Sequence, residues 1–114
     1  MSVDCLFCKI IAGQIPSNKV YEDEFCYAFK DIVPKAPVHD VFVPREHFSG
    51  ALEVTEAREK IVGHLIHAAS LVAKQKGIDK SGYRLVLNTN ADAGQTVFHL
   101  HLHLLGGQTL GGMA

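Results

Sequence analysis

The sequence predicts an α+β fold: a five-stranded, mostly antiparallel sheet with one short and one long helix. Five segments have the alternating or β-branched composition of strands. The connections between most of them are short, which favours antiparallel pairing. Residues 55–76 instead place apolar side chains at three- and four-residue steps, the spacing of an amphipathic helix. We expect this helix to cover one face of the sheet.

Composition predicts a single globular domain, residues 1–114. The chain is 47% hydrophobic and 20% charged, too apolar for disorder, with no apolar run near the ~18–20 residues of a membrane span. Eleven basic and twelve acidic residues form no block of one sign, so neither nucleic acid nor a membrane surface is an expected partner. A small molecule is the expected partner. The N-terminus has an acidic residue where a secretory signal has basic ones, and Lys9 interrupts its apolar stretch. We therefore expect a cytoplasmic protein.

The first half of the chain predicts a short helix and three strands. Residues 4–12 have helical spacing between Asp4, which can cap, and Gly13, which can terminate. An acidic turn separates strands at residues 20–21 and 25–29 in a predicted hairpin. A proline-rich loop then leads to a strand over residues 38–43.

The second half predicts one helix and two strands. Thr55 is the expected N-cap of the helix over 55–76. Strands are predicted at 82–89 and 97–105, joined by the turn-rich residues 90–95.

The last predicted strand contains three histidines within a stretch of five residues. His99, His101 and His103 alternate with Phe98, Leu100, Leu102 and Leu104. In a strand this pattern puts the imidazoles on one face and the apolar side chains on the other, whereas a helix would divide the histidines. A solvent-facing polar row, a metal site of all three, and nucleophilic or acid–base chemistry on a phosphate are the possible explanations. Imidazole suits the last because it is a neutral nucleophile near pH 7 and a cation once protonated.

Cysteine usage adds a second candidate site. Three cysteines, two of them in Cys5-x-x-Cys8, do not suit a disulfide framework. A buried pair, a redox pair and half of a tetrahedral zinc site all remain open. Zinc needs two more ligands, which seven histidines can supply.

Several segments together resemble a known family. The histidine row in 99–105 resembles the His-φ-His-φ-His-φ-φ signature (φ, hydrophobic) of the histidine triad superfamily. Residues 5–16, 28–39, 43–47 and 88–107 resemble, in order, its Hint branch of purine nucleotide phosphoramidases. The resemblance covers nearly the whole chain.

The resemblance implies a homodimer with a continuous ten-stranded sheet. We expect Ile61, Leu65, Val72 and the strand over 82–88 at its interface. It also implies hydrolysis of a purine nucleoside monophosphate, AMP or GMP, bonded to an amine or acyl group. A dimeric nucleotide-binding or scaffold module with incidental turnover is the alternative.

The resemblance also assigns catalytic roles. His101 would be the nucleophile that carries a transient nucleotidyl group, and His103 would contact phosphate oxygens. Thr96 stands where most Hint proteins have Ser and would bond the leaving nitrogen or a phosphate oxygen. Further phosphate contacts are expected from Asn88 and from the backbone amides of Gly94, Gln95 and Thr96. Val97 is also expected to bind the nucleotide.

The nucleoside would lie where the first helix meets the hairpin. Asp31 would accept from ribose hydroxyls, although on its own it reads as a turn residue. The apolar side chains expected there are Leu6, Phe7, Ile10, Phe29 and Ile32. Without the resemblance, Phe7, Ile10 and Phe29 read as core residues.

Hint relatives that keep Cys-x-x-Cys hold a zinc ion. The resemblance therefore implies a structural zinc here, held by Cys5, Cys8, His47 and His99. His99 would then be committed to metal and His101 left free.

The remaining polar residues receive structural roles or none. Cys26 is expected to be buried, His39 to be structural, and His64 and His67 to lie at a helix surface or interface. Asp40 stands at a usually hydrophobic position, which suggests an edge or an exposed face. The sequence ends without the Trp-Pro-Pro segment of many Hint proteins, which leaves the leaving-group preference open.

Overall fold

A computed structural model describes residues 5–113. Within them, α1 spans Leu6–Ile11 and α2 spans Glu59–Gln75. The five strands are β1 (Lys19–Glu22), β2 (Cys26–Lys30), β3 (Val38–Pro44), β4 (Tyr83–Val86) and β5 (Leu102–Gly106). They form one antiparallel sheet in the order β1-β2-β3-β5-β4. The predicted α+β class, the five strands and the two helices are confirmed.

Helix α1 begins one residue later than expected because Cys5 is its N-cap. The Cys5 Sγ accepts a hydrogen bond from the backbone N–H of Cys8 at 3.2 Å. The predicted cap, Asp4, lies outside the described residues. Gly13 ends the helix as predicted, with the positive φ of +78° that a glycine adopts without strain.

Helix α2 begins later than its periodicity predicts. Thr55 precedes a separate 3₁₀ turn, Glu56–Arg58, and its side chain makes no capping hydrogen bond. The prediction of Thr55 as the N-cap of the long helix is therefore wrong. The buried stripe of α2, which includes Leu65, Ala68 and Val72, packs on one face of the sheet.

Strands β4 and β5 are shorter than predicted. Their pairing stops at Val86 and His103, and residues 97–99 form a bend rather than a strand. The Leu100 N–H bonds to the carbonyl of Phe48 at 2.8 Å instead of to a neighbouring strand. Only His103 of the three histidines therefore belongs to the sheet ladder.

The two sheet faces have different covers. Apolar side chains of β2, β3 and β5, including Ala28, Phe42 and Leu104, join the α2 core. On the opposite face, Phe29, Val41 and Val43 pack against α1. Because α1 has only six residues, it covers part of that face and leaves the region near His39 and His103 as the wall of a cleft.

Three expectations about exposure are wrong. Asp40 is 1% exposed and faces α2, where the Lys76 Nζ donates to its Oδ2 at 2.6 Å. Phe98 is 49% exposed because it lies in the bend, outside the core. Leu65 and Val72 fill the core of this chain, so they are not available to a partner. Cys26, in contrast, is buried as predicted.

No helix within residues 5–113 has the length and apolarity needed to cross a bilayer.

Candidate functional site

A cleft of about 730 Å³ lies between α1, the open sheet face and the loop before β5. We call it the main cleft. Its wall includes nearly all of the residues expected to bind the nucleotide: Leu6, Phe7, Ile10, Phe29, Asp31, Ile32, Asn88, Gly94, Thr96, Val97, His101 and His103. Its volume suits a drug-sized or nucleotide-sized ligand. The structure therefore brings these residues together around one space.

The tautomer of His101 is set by the backbone. Its Nδ1 lies 2.8 Å from the carbonyl oxygen of His99, which can only accept, so Nδ1 carries the proton. Neutral His101 thus keeps a free electron pair on Nε2. The buried ring of Phe7 packs edge-on against it, with centroids 4.9 Å apart. His101 is held in the tautomer that a nucleophile needs.

His39 extends the site in a way that the sequence did not indicate. The backbone N–H of Lys35 donates to His39 Nδ1 at 3.0 Å, so the proton of neutral His39 lies on Nε2. That nitrogen is 2.9 Å from His103 Nδ1, which accepts the bond. His103 consequently presents Nε2–H as a donor.

Asp31 closes this chain of contacts at the rim of the cleft. One carboxylate oxygen, Oδ2, lies 3.3 Å from His39 Nε2. The other accepts the Val33 N–H at 2.9 Å, so Asp31 also shapes its turn. We refer to Asp31, His39, His103 and His101 as the histidine chain. The rings of His101 and His103 lie 5.0 Å apart.

The histidine chain favours neutral imidazoles. Burial lowers the pKa of His101, against a raising effect of the His99 carbonyl and the Asp31 charge. Burial and the neighbouring His101 and His39 lower the pKa of His103 to about 4. Burial lowers the pKa of His39 as well. At pH 7 the chain thus offers an unprotonated Nε2 on His101 beside an Nε2–H on His103.

The loop before β5 is held by a buried amide. Gln95 is 4% exposed, and its Nε2 donates to the carbonyls of Ser49 and Val97 at 2.7 and 3.1 Å. Its Oε1 accepts the Asn90 N–H at 2.7 Å. Gly94, with φ +87°, turns the chain there. The Gln95 side chain is thus committed to positioning the loop, and Thr96 follows it into the cleft.

Four candidate metal ligands converge beside the cleft. The Cys5 Sγ and the Cys8 Sγ lie 3.3 and 3.5 Å from His99 Nδ1. The His47 Nδ1 lies 3.4 Å from the Cys8 Sγ and 3.0 Å from His99 Nδ1. Ligands around a tetrahedral zinc are separated by about 3.3–3.8 Å, given the usual Zn–S and Zn–N lengths. The four ligand atoms therefore lie close enough together to hold one ion, although the His47–His99 distance of 3.0 Å is just below this range.

The chemistry of this donor set also suits a metal ion. The His99 Nε2 donates to the Pro44 carbonyl at 2.8 Å, which leaves its Nδ1 unprotonated towards the two sulfurs. Burial, with the hydrogen bond and charge of Cys5, raises the pKa of Cys8 to about 11. Binding of a metal must therefore displace a thiol proton.

The other histidines lie on the opposite side of the sheet. His64 Nε2 donates to Asp23 Oδ2 at 2.6 Å, which ties α2 to the hairpin. Burial opposes ionisation of Asp23, but hydrogen bonds from His64, Phe25, Tyr21 and Cys26 hold its pKa well below its usual value. Both carboxylate oxygens are thus fully used. His67 is exposed on α2.

A second cavity, of about 500 Å³, adjoins the main cleft, and we call it the side pocket. It is lined by Cys5, Leu6, His47, Ser49, Thr96, Val97 and Phe98. Leu6, Thr96 and Val97 line both spaces.

Fold and site thus define an α+β domain whose imidazole-lined cleft stands beside a Cys₂His₂ cluster. A family profile described as "HIT domain" matches residues 12–110. The chain belongs to this family.

Individual relatives agree with this assignment. The chain is 43% identical to a purine nucleoside phosphoramidase of Escherichia coli over 99% of this chain and 95% of that protein. It is also 43% identical to a 14 kDa zinc-binding protein of Brassica juncea, over 94% and 96% of the two chains. The solved structure of a HIT family hydrolase from Clostridium thermocellum superposes with a TM-score of 0.94 at 47% identity, covering 98% and 97%.

Proposed function

We propose that this protein hydrolyses the P–N bond of purine nucleoside phosphoramidates, with acyl-nucleotides as related substrates. The observation that carries the proposal is the fixed tautomer of His101, whose free Nε2 stands beside the Nε2–H of His103 in a nucleotide-sized cleft. A module that only binds nucleotides has no need of an oriented nucleophile. The phosphoramidase activity named for the Escherichia coli relative supports the same reaction.

The residues divide between the two ends of the substrate. Apolar side chains of α1 and β2, such as Phe7, Ile10 and Phe29, face the purine, and Asp31 accepts from the ribose. Asn88 and the backbone amides of 94–97 donate to phosphate oxygens, together with His103. Bound phosphate favours the charged form of His103 and raises its pKa above that of the free site.

The reaction proceeds in two displacements at phosphorus. The electron pair of His101 Nε2 forms a bond to phosphorus as the P–N bond breaks. The leaving nitrogen takes a proton from the charged form of His103, and the Thr96 hydroxyl hydrogen-bonds to that nitrogen. Water then attacks phosphorus as the bond to His101 Nε2 breaks. The attacking water gives one proton to solvent. The products are a nucleoside monophosphate and an amine, which balance one phosphoramidate and one water.

Zinc is proposed as a structural ion held by Cys5, Cys8, His47 and His99. When bound, it supplies a rigid four-ligand link and no open coordination position. His99 then fixes the backbone carbonyl that orients His101. The zinc-binding relative of Brassica juncea supports this proposal.

A homodimer with a ten-stranded sheet is proposed as the working unit in the cytoplasm. Since Leu65 and Val72 are internal, the available surface is the edge strand β4 with the exposed Ile66 and Leu71 of α2. An unpaired edge strand and exposed apolar side chains favour association. Light scattering at micromolar concentration should give twice the chain mass, and a monomer would contradict this.

Two measurements test the function and the metal separately. The protein should release a fluorogenic amine from an adenosine phosphoramidate, and a denaturing quench at alkaline pH should trap one nucleoside monophosphoryl group on the peptide containing His101. Turnover by His101→Ala at the wild-type rate would refute the nucleophile. Metal analysis of untagged protein should find one zinc per chain, reduced in Cys5→Ser and Cys8→Ser but not in Cys26→Ser, whose sulfur lies in the α2 core.

A further inference from the structure

Cys5 and Cys8 lie close enough together to form a disulfide bond. Both sulfurs belong to the group of ligand atoms that all lie within 4.8 Å of one another. Cys5 is the N-cap of α1, and Cys8 lies in the first turn of that helix. Residues three positions apart in a helix have Cα atoms about 5 Å apart, which is within the range of disulfides. Rotation of the two side chains is thus enough to bring the sulfurs into bonding distance.

The third cysteine does not compete for either sulfur. Cys26 lies in the core between the sheet and α2, whereas Cys5 packs on the opposite face of the sheet with Phe7 and Phe29. Cys5 also borders the side pocket, which gives a small oxidant access to this residue. Cys8 is half-buried. The structure therefore contains one accessible pair of thiols and one isolated thiol.

The same pair supplies two of the four ligands of the proposed zinc site. A metal ion is bound by thiolates, and a sulfur in a disulfide is no longer a thiolate. His47 and His99 alone would leave two of the four positions of a structural zinc unfilled. We propose that Cys5 and Cys8 are a reversible oxidation site, at which a peroxide converts the metal-binding form into a metal-free disulfide form.

The oxidation takes place in two steps. Peroxide transfers one oxygen atom to the Cys5 sulfur, which becomes a sulfenic acid as water is released. The Cys8 sulfur then attacks the Cys5 sulfur, and the hydroxyl group leaves as a second water. The two thiols lose two electrons and two protons, which reduce one peroxide to two waters. Starting from zinc-bound thiolates, solvent supplies these two protons and the ion is released.

Oxidation of the pair also acts on the main cleft. Phe7 lies between the two cysteines in α1, and its ring centroid is 6.0 Å from that of His99 and 4.9 Å from that of His101. Both sulfurs contact His99 Nδ1, and the His99 carbonyl sets the His101 tautomer. We therefore expect slower turnover by the disulfide form. This expectation rests on the proposed hydrolysis, whereas the disulfide and the loss of metal do not depend on it.

Mass spectrometry of protein freed of metal by a chelator tests the oxidation site directly. The tryptic peptide that ends at Lys9 contains both cysteines, and hydrogen peroxide should make it lighter by two hydrogen atoms. The number of free thiols should fall from three to one, and dithiothreitol should restore all three. Cys26→Ser is the matched control and should lose two thiols in the same way. Cys5→Ser and Cys8→Ser should each fail to form the bond. An unchanged peptide mass, or a gain of oxygen instead, would overturn the proposal.

Protein loaded with zinc tests the exchange between the two forms. Peroxide should release one zinc per chain, measured with a chromogenic chelator, in step with the loss of two thiols. Turnover should fall about tenfold, because the nucleophile loses part of its orientation. Zinc that stays bound while the disulfide forms would overturn the exchange, and unchanged turnover of the disulfide form would overturn the link to His101. Failure of the reduced protein to cleave any phosphoramidate would overturn the proposed hydrolysis, while the peptide mass still decides the oxidation site.

Discussion

His39 and Asp40 are consecutive buried residues of β3 that serve opposite faces of the sheet. His39 points into the main cleft and hydrogen-bonds to His103. Asp40 points towards α2 and pairs with Lys76. On the cleft face the polar groups form a connected chain. Backbone groups set the tautomers of His39 and His101, and His39 sets that of His103. On the α2 face the buried Asp40 pairs with Lys76, whose side chain is 27% exposed. The Asp40 Oδ1 has no hydrogen-bond partner among the described residues.

The difference separates chemistry from stability. His39, His101 and His103 line the main cleft, whereas neither Asp40 nor Lys76 lines the main cleft or the side pocket. A buried ion pair contributes little net stability, but loss of one partner leaves an uncompensated charge. Changes on the cleft face should therefore alter turnover with little effect on folding, and changes at the ion pair should do the reverse.

The largest expected effect is that of His101→Asn. Turnover of an adenosine phosphoramidate should fall by several orders of magnitude, since the covalent route is lost, while AMP binding is retained because the cleft remains. His67→Asn, an exposed histidine of α2, is the matched control and should turn over normally. Steady-state kinetics and equilibrium binding measure the two properties, and near-wild-type turnover would remove His101 as nucleophile.

On the opposite face, Lys76→Ala should lower the free energy of unfolding by about 3 kcal/mol, because the Asp40 carboxylate stays buried without its partner. Lys74→Ala, an exposed residue of the same helix end, should cost little. Denaturant unfolding measures both, and kcat of the folded Lys76→Ala protein should be unchanged. The double variant Asp40→Leu with Lys76→Leu should recover the lost stability. Equal losses in the two lysine variants would contradict this account of the pair.

These two faces also show how far the sequence alone could lead. The Cys-x-x-Cys spacing indicated half of a metal site from local geometry, whereas His47 and His99 followed only from the family resemblance. The alternation in residues 99–104 predicted one strand with all three imidazoles on one face, but β5 includes only His103. The contact between His39 and His103 depends on the register of β3 and β5, in which Val41 lies opposite His103. One signal was present: His39 alternates with Val41 and Val43 along β3, so all three lie on one face of the sheet.

At Asp40 the sequence pattern led to the wrong expectation about exposure. A carboxylate in a strand suggests an edge or a wet face, yet β3 is the central strand of the sheet. Its burial is possible because Lys76, just beyond α2 and 36 residues away, reaches it. No local pattern encodes that partner, since the pair forms only when the helix packs on the sheet.

A smaller effect is expected from Thr96→Ala. Loss of one hydroxyl near the leaving nitrogen should reduce kcat by about 10–100-fold, because a donor is removed and not the nucleophile. Thr55→Ala, an exposed threonine before the 3₁₀ turn that precedes α2, is the control. Kinetics on a slow and a fast leaving amine would show the larger loss for the poorer leaving group. An unchanged rate would make Thr96 a loop residue only.

The last effect concerns the pH dependence of folding on the cleft face. Burial, together with the charges of His101, His39 and Lys35 and against that of Asp31, places the pKa of His103 at about 4 in the folded protein, compared with 6.5 for the free side chain. Above pH 6.5 His103 is neutral in both the folded and the unfolded protein. It therefore contributes nothing there to the change of the free energy of unfolding with pH. As the pH falls from 6.5 towards 4, the unfolded chain takes up a proton that the folded chain does not, so the free energy of unfolding falls by up to about 1.4 kcal/mol per pH unit.

His103→Asn should therefore show a shallower decline in that window and the same plateau at pH 7–8. Loss of zinc at low pH acts on both proteins, so the difference between their unfolding curves reports His103. Parallel curves from pH 8 to pH 4 would show that burial does not disfavour the charged form of this imidazole.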